Sequence, residues 1–330
     1  MITDEEIRPG ELMKKRESSL SWDIDFLKRR QKDFIKACCP ACESDQSNSI
    51  FTKYGMNYEE CHECSTVYIS PRPPESLLHE FYEQSQNYDF WNKYIFPQSE
   101  DIRRVGIFQP RVKKMLGYRE KYHPSASSLV DVGAGFGTFC EEVIKTNKLE
   151  RVIAVEPTPS LAKTCHEKGI ETLQLPVESL SSTLKIDIIT SFEVIEHLFS
   201  PKDFITTCRD HLNVNGLLIL SCPNIKGFDI KCLGPKHHSI DHEHLNYFHP
   251  KSLNLLLNSS GFEVLKVETP GELDAELVRK GILNGDISLD NNIFLKEVLI
   301  DNWETQGGKF QEFLTATRQS SHMIAIARKK

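Results

Sequence analysis

One short stretch constrains the fold of this chain more than any other. The apolar run 128–132 leads into a pattern in which Asp131, Gly133, Gly135 and Gly137 alternate with other residues, and helical spacing follows directly. Glycine permits backbone angles that other residues avoid, and a helix beginning behind such a turn presents free N–H groups to a ligand. The stretch therefore predicts a strand, a tight ligand-binding turn and a helix.

The rest of the chain after this turn alternates apolar strand-like runs with helical segments. Strands are predicted at 129–132, 151–156, 171–175, 186–190, 217–221, 262–267 and 322–328. Several runs are apolar on both faces, which is typical of parallel strands with helices on both sides of the sheet. We predict an α/β fold with a doubly wound, seven-stranded, mostly parallel sheet. Ligands of such sheets bind beyond the carboxyl ends of the strands, where the glycine turn would lie.

Length and charge limit the possible partners. The chain has 330 residues, long enough for one large domain and a smaller module, and a formal net charge of -7. That charge gives no general attraction to nucleic acid or anionic membranes. The longest apolar runs fall far short of the roughly 20 residues that span a bilayer, and the acidic N-terminus lacks a signal-peptide core. We therefore expect a cytoplasmic protein.

Four cysteines form two C-x-x-C pairs separated by eighteen residues: Cys39 and Cys42, then Cys61 and Cys64. Two such pairs are typical of a four-thiolate zinc site, and a β-hairpin between them would bring the pairs together. A closed four-thiolate site has no open coordination position. The pattern therefore predicts a structural zinc ion rather than a catalytic one.

Composition divides the chain into segments. Three prolines between positions 71 and 74 interrupt regular structure, and many aromatic residues follow in a helical region. We predict a helical or disordered leader, a zinc-binding module, an aromatic helical cap, and a large α/β domain with an acceptor-side insertion. The ranges are 1–37, 38–70, 71–125, 126–330 and, for the insertion, 223–249.

Two further features of the sequence bear on the ligand of the glycine turn. Glu156 ends the second strand, where an acid can accept hydrogen bonds from ribose hydroxyls, and the fourth strand runs into S-F-E-V-I-E-H at 191–197. Together with the turn, these residues resemble class I S-adenosylmethionine-dependent methyltransferases. The resemblance covers about 126–268 and implies S-adenosylmethionine as cofactor. It implies that the residues contacting the cofactor are Asp131, Gly133, Gly135, Gly137, Glu156, Val177, Glu178, Ser191 and Phe192.

The overall layout resembles a subgroup of these enzymes from sugar and polysaccharide pathways, which carry a cysteine-rich zinc module and a histidine-rich stretch after the fifth strand. Here that stretch runs from 237 to 248, and Glu243-His244 resembles the acid–base pair of sugar C-methyltransferases. This resemblance implies O- or C-methylation of a small polar acceptor, such as a nucleotide-activated sugar. His244 would be the base, Glu243 would orient it or relay a proton, and His197 would border the acceptor pocket.

The sequence leaves two alternative functions open. Glu193, Glu196 and His197 have E-x-x-E-H spacing and, with His242 or His244, would make a metal site for O-methylation. Alternatively, a zinc ribbon would bind nucleic acid and the enzyme would act on RNA, although the acidic charge counts against this. The glycine spacing differs from the G-x-G-x-x-G of dinucleotide sites and disfavours a nicotinamide oxidoreductase.

Overall fold

The computed structural model describes residues 3–289 and 292–330. A seven-stranded sheet runs through its larger part and confirms the predicted α/β fold. Its strands are β4 (Ser128–Val132), β5 (Arg151–Val155), β6 (Glu171–Leu173), β7 (Ile186–Phe192), β8 (Leu212–Pro223), β10 (Phe262–Glu268) and β11 (His322–Lys329). The spatial order is β10-β11-β8-β7-β4-β5-β6, in which β10–β11 and β11–β8 are antiparallel and the remaining pairs parallel.

The strand order reverses beside β4, with β5 on one side and β7 on the other. The carboxyl ends of these neighbouring parallel strands therefore share one edge of the sheet, and the glycine turn follows β4 at that edge. The Asn-Val-Asn-Gly sequence of residues 213–216 is typical of a turn, but these residues lie inside β8. The left-handed backbone of Asn215 and a break in the β7–β8 register accommodate them, so the strand is longer than its apolar run.

Helices cover the sheet and extend beyond it. In chain order they are α1 (Asp4–Ile7), α2 (Gly10–Lys28), α3 (Glu75–Gln84), α4 (Gln86–Phe90), α5 (Phe96–Arg103), α6 (Gln109–Tyr122), α7 (Thr138–Lys145), α8 (Pro159–Glu167), α9 (Pro201–His211), α10 (Phe228–Leu233), α11 (Pro250–Ser259), α12 (Asp274–Leu283), α13 (Ile293–Lys296) and α14 (Gly308–Ala316). None of the helices in the described part of the chain has the length and apolar character needed to cross a membrane.

A second, four-stranded sheet contains the predicted hairpin of the cysteine-rich module. Its order is β1 (Ser47–Lys53), β2 (Met56–Cys61), β3 (Val67–Ile69) and β9 (Asn246–Tyr247), all antiparallel. The last strand comes from the predicted acceptor-side insertion, almost 180 residues after β3. The small sheet therefore joins the N-terminal module to the loop that contains His244.

Side chains from both parts share one apolar core. Cys39, Cys61 and Tyr68 belong to the same buried cluster as Val130 and Ile189 of the large sheet. A second cluster places Phe26 and Leu27 of α2 against Tyr58 and Tyr247 of the small sheet. Helix α2 therefore packs against the small sheet, whereas the division of the chain into separate domains stays a prediction.

Candidate active site

The glycine turn has the conformation that its sequence predicts. Gly133, Gly135 and Gly137 all have positive φ, at 76°, 57° and 69°. A β-carbon at Gly133 would lie 2.6 Å from Cγ2 of Val194, so this position also requires glycine for packing. A β-carbon at Gly135 would meet no atom within 4 Å, which leaves open space over the backbone for a ligand.

Glu156 lies against this open part of the turn. Its carboxylate accepts hydrogen bonds from the Gly135 N–H at 2.8 Å and from the Thr158 N–H at 2.9 Å. The side chain is buried, and burial raises its pKa. The structure thus brings Glu156 and the turn together, as expected of residues that hold one nucleoside ligand.

Asp131 lies beneath the turn rather than in the open space. Its Oδ1 accepts a 2.6 Å hydrogen bond from the Thr190 hydroxyl, and its Oδ2 is 3.8 Å from Sγ of Cys140. Burial raises the pKa of Asp131 to about 7, although the hydrogen bond from Thr190 lowers it. Within this structure Asp131 supports the base of the turn, and a contact with the cofactor stays a prediction.

The remaining residues predicted to contact the cofactor differ in their environment. Ser191 is buried, and its hydroxyl has no hydrogen-bond partner among the described residues. Phe192 is half-buried, while Val177 is buried and Glu178 exposed. An unpartnered buried hydroxyl at the carboxyl end of β7 suits a polar ligand there, because leaving such a group unsatisfied is unfavourable.

One residue at this edge was missed by the sequence analysis. The guanidinium of Arg111, on α6, lies 4.3 Å from the ring centroid of Phe192, and burial lowers its pKa. Ring contacts also place Phe96 of the helical cap 5.8 Å from Phe136 in the glycine turn. Only the aromatic composition of the cap pointed to such contacts, because no local pattern identifies which helical side chain reaches the turn.

The strand-end segment 191–198 connects the glycine turn to the histidine-rich loop. Val194 packs against the turn, its carbonyl accepts a 3.0 Å hydrogen bond from the His197 N–H, and the rings of His197 and His244 lie 4.5 Å apart. Segment 191–198 therefore contacts both the predicted cofactor region and the predicted base. Burial lowers the pKa of His197 to about 3, so this imidazole is neutral.

His244 has a defined tautomer. Its Nδ1 lies 2.9 Å from the carbonyl oxygen of Ser239, and a carbonyl can only accept, so in the neutral ring Nδ1 carries the proton and Nε2 the lone pair. No hydrogen bond joins the Glu243 carboxylate to His244 among the described residues. That carboxylate accepts from the Asn87 side-chain amide instead. Orientation of His244 thus comes from Ser239, and the catalytic role of Glu243 stays a prediction.

The residues of the E-x-x-E-H pattern separate in the structure. Glu193 accepts a 2.6 Å hydrogen bond from the Ser221 hydroxyl and lies 3.3 Å from Nδ1 of His322. Glu196, by contrast, is buried with neither carboxylate oxygen hydrogen-bonded among the described residues. One ligand atom each from Glu196, His197 and His244 lies within 4.8 Å of the others.

The four predicted zinc ligands converge. Cys39 Sγ lies 3.4 Å from Cys64 Sγ, Cys42 Sγ lies 3.5 Å from Cys61 Sγ, and all four sulfurs lie within 4.8 Å of one another. Zinc–sulfur bonds of about 2.3 Å in a tetrahedron place the sulfurs roughly 3.8 Å apart, so the set fits the ion. Cys38, a further cysteine directly before the first pair, is exposed and lies outside this group.

Comparisons with known proteins identify the family of this chain. The family described as "Methyltransferase domain" matches residues 103–267. The mitochondrial ubiquinone biosynthesis O-methyltransferase of Schizosaccharomyces pombe is 26% identical over 113 residues, which are 32% of this chain and 40% of that protein. The ubiquinone biosynthesis O-methyltransferase of Histophilus somni is 29% identical over 121 residues, 33% of this chain and 51% of that protein.

The chain therefore covers about half or less of the length of these two relatives. Among solved structures, a SAM-dependent methyltransferase from Archaeoglobus fulgidus is similar with a TM-score of 0.49 and 21% identity, over 72% of this chain and all of that one. The family match begins at the last residue of α5, includes the glycine turn and segment 191–198, and ends in β10. The matched residues are half of the chain. The chain thus belongs to the methyltransferase domain family.

Proposed function

We propose that this protein transfers a methyl group from S-adenosylmethionine to a small polar acceptor, a sugar or sugar nucleotide. The observation that carries the proposal is that segment 191–198 contacts both the open glycine turn, through Val194, and the ring of His244, through His197. Family membership supports the donor. The acceptor class rests on the resemblance to sugar-pathway enzymes.

The residues at the turn fit the proposed cofactor. Glu156 would hold the ribose, the open space over Gly135 would admit a ligand against the backbone, and the hydroxyl of Ser191, which has no partner among the described residues, would make a polar contact. When bound, S-adenosylmethionine supplies an electrophilic methyl group on a sulfonium. Much of the rate enhancement in such a displacement comes from holding donor and acceptor in line, which is a task for these rigid strand ends.

His244 would accept the proton that the acceptor loses. For O-methylation the proton leaves a hydroxyl, and for C-methylation it leaves a carbon beside a ketone. In both cases a bond from the deprotonated atom to the methyl carbon would replace the methyl–sulfur bond, S-adenosylhomocysteine would leave as a neutral thioether, and Nε2 of His244 would take the proton. The carbonyl of Ser239 holds the imidazole in the tautomer that this step requires and stabilises the charged ring afterwards.

A second candidate is metal-assisted O-methylation, and the cluster of Glu196, His197 and His244 favours it. A buried carboxylate without hydrogen bonds, beside two imidazoles, fits a divalent cation, which would lower the pKa of an acceptor hydroxyl. The names of the ubiquinone-pathway relatives agree with O-methylation. In this alternative Nε2 of His244 is a metal ligand rather than a base.

Calorimetric titration with S-adenosylhomocysteine tests the donor side, and we expect micromolar or tighter binding to the full chain. His244→Ala should retain this binding and lose 10²-fold or more in methyl transfer to its acceptor, whereas exposed His166→Ala should lose nothing. No binding of S-adenosylhomocysteine would refute the proposal. Turnover that requires added Mg²⁺ or Mn²⁺ and is abolished in Glu196→Gln would favour the second candidate.

A further inference from the structure

A second group of titratable side chains lies next to the candidate active site, and no hydrogen bond joins any of them to the His244 ring among the described residues. It combines Asp23 of helix α2 with His242 and Glu243 of the histidine-rich loop. One ligand atom from each lies within 4.8 Å of the others. Asp23 is fully buried and His242 is 2% exposed, so water does not solvate these two groups, while Glu243 is half-buried. Buried charges of this kind require a compensating partner.

The ring of His242 makes no hydrogen bond to either carboxylate. Neither of its ring nitrogens has a hydrogen-bond partner among the described residues. Its Nε2 lies 3.7 Å from Oδ2 of Asp23 and 3.6 Å from Oε1 of Glu243. Both separations exceed the range of an N–H···O hydrogen bond. A proton on Nε2 could point at only one of the two carboxylates, so no single hydrogen bond from His242 joins all three side chains.

The same separations fit a coordination sphere. Bonds of about 2.1 Å from a cation to nitrogen and oxygen ligands place neighbouring ligands roughly 3.4 Å apart in a tetrahedron. The two nitrogen–oxygen distances differ from that value by a few tenths of an ångström. A cation between the three atoms would neutralise both carboxylates and bind the nitrogen lone pair at the same time.

Hydrogen bonds from neighbouring residues hold both carboxylates in place. The Ser85 hydroxyl donates to Oδ2 of Asp23 at 2.5 Å, and the Gln86 N–H donates to Oδ1 at 2.8 Å. The Asn87 side chain donates to Oε1 of Glu243. Metal-binding carboxylates are commonly oriented by hydrogen bonds of this kind.

Aromatic packing fixes the imidazole. The ring of His242 makes edge contacts with Phe81 at 5.7 Å and with Tyr54 at 6.2 Å between ring centroids. The three side chains therefore have little freedom to rearrange into hydrogen bonds with one another.

We propose that Asp23, His242 and Glu243 bind a divalent cation of the zinc and manganese class, at a site distinct from the four-thiolate zinc. One imidazole and two carboxylates suit Zn²⁺ or Mn²⁺ rather than Ca²⁺, which takes six to eight oxygen ligands. The cation joins helix α2 to the loop that carries His244. The site goes beyond the proposed methyl transfer and does not depend on it.

Metal content measured by mass spectrometry on the full chain, after equilibration with Zn²⁺ and removal of loosely bound ion, tests the site. We expect His242→Gln and Asp23→Asn each to hold one equivalent less than the wild type. Asp25→Asn, an exposed acid on the same helix, should hold the wild-type amount. Cys61→Ser removes the thiolate site and should retain the ion at His242.

Cobalt substitution gives an independent reading. Co²⁺ bound by thiolates produces a charge-transfer band that nitrogen and oxygen ligands do not, so a Cys61→Ser protein should still bind Co²⁺ without that band. Equal metal content in the wild type and in both site variants would overturn the proposal. If His242→Gln fails to fold, Asp23→Asn provides the same comparison. Binding of S-adenosylhomocysteine by these variants is measured separately and reports on the proposed function alone.

Discussion

At the scale of single residues, the glycine turn was the most predictable part of the site. Its conformation depends on neighbours in sequence, and the positive φ angles of Gly133 and Gly135 follow from the residue type. The surroundings of Asp131 were less predictable. Its hydrogen bond from Thr190 joins adjacent strands, and the sequence alone does not show which residue of β7 lies opposite it.

The buried carboxyl of Asp131 gives a pH-dependent prediction. Its pKa in the folded protein is about 7, raised by burial from an ordinary value of 3.8, so the native state binds this proton more tightly than the unfolded chain does. Its contribution to the free energy of unfolding is therefore present at low pH and is lost as the pH rises through 7. In Asp131→Asn that loss does not occur, while an amide oxygen can still accept from Thr190.

We therefore expect the free energy of unfolding of Asp131→Asn, relative to wild type, to rise between pH 5 and pH 8 by up to about 2.5 kcal/mol. Urea unfolding of both proteins at the two pH values measures this difference, in which other titrating groups cancel. A difference that stays constant between pH 5 and pH 8 would contradict the raised pKa.

The cluster around His242 shows why some functional residues escape sequence reasoning. Asp23 lies in a helix with many charged residues, so nothing in the local pattern distinguishes it from exposed Asp25. It meets His242 only because α2 packs against a loop more than 200 residues later in the chain. Glu243 was singled out by its resemblance to an acid–base pair, but its carboxylate points toward Asn87 and His242.

At the scale of elements, the small sheet was only partly predictable. The C-x-x-C spacing indicated the β1–β2 hairpin, because the two cysteine pairs must converge on one ion. Strand β9 has only two residues and no alternating pattern, so its sequence gave no strand signal. It forms because β3 offers an unpaired edge, and the predicted insertion is placed against that edge.

Arg72 links this edge to the candidate active site. Its guanidinium donates to Oδ1 of Asn246 at 3.0 Å and to the carbonyl of Phe199 at 2.8 Å, and the side chain is buried. Asn246 in turn donates to the carbonyl of Leu198 at 2.7 Å. One arginine thus ties β9 to the end of the segment that contains His197.

Arg72→Ala should lower the free energy of unfolding by about 2 to 3 kcal/mol, because it leaves buried acceptors at Asn246 and Phe199 without their donor. We expect methyl transfer to fall by at least tenfold, with the affinity for S-adenosylhomocysteine unchanged. Exposed Arg29→Ala is the matched control, and denaturant unfolding with calorimetry measures both effects. Equal loss of cofactor affinity would show that Arg72 does not act on the acceptor side alone.

At the scale of the whole molecule, the predicted architecture is confirmed where it depends on repeated alternation of strand and helix. Each parallel strand carries its own apolar signal, and the connections allow few topologies. Packing between the N-terminal module and the large sheet had no such signal. The shared core of Tyr68 with Val130 and Ile189 depends on which surfaces meet, and apolar composition does not specify that.

This shared core leads to a prediction about zinc. Cys61→Ser should release the zinc ion and loosen the chain at the two cysteine pairs, while the rest of the small sheet and the loop that carries His242 stay folded. Because the glycine turn belongs to the large sheet, we expect S-adenosylhomocysteine to bind within threefold of wild type while methyl transfer falls at least tenfold. Metal analysis, calorimetry and a transfer assay measure the three quantities.

Cys38→Ser is the matched control, since this thiol is exposed and outside the four-sulfur group, and it should behave as wild type. A parallel loss of cofactor binding and transfer in Cys61→Ser would instead show that the zinc module supports the whole fold.

The pairing of β3 with β9 also has a consequence for biosynthesis. Strand β3 is synthesised almost 180 residues before the partner that completes its sheet, so its edge stays unpaired while most of the large sheet is being made. An unpaired edge is a template for pairing with other chains. Nascent chains that end before residue 246 therefore expose this edge, and the acceptor side of the molecule cannot be completed before β9 is made.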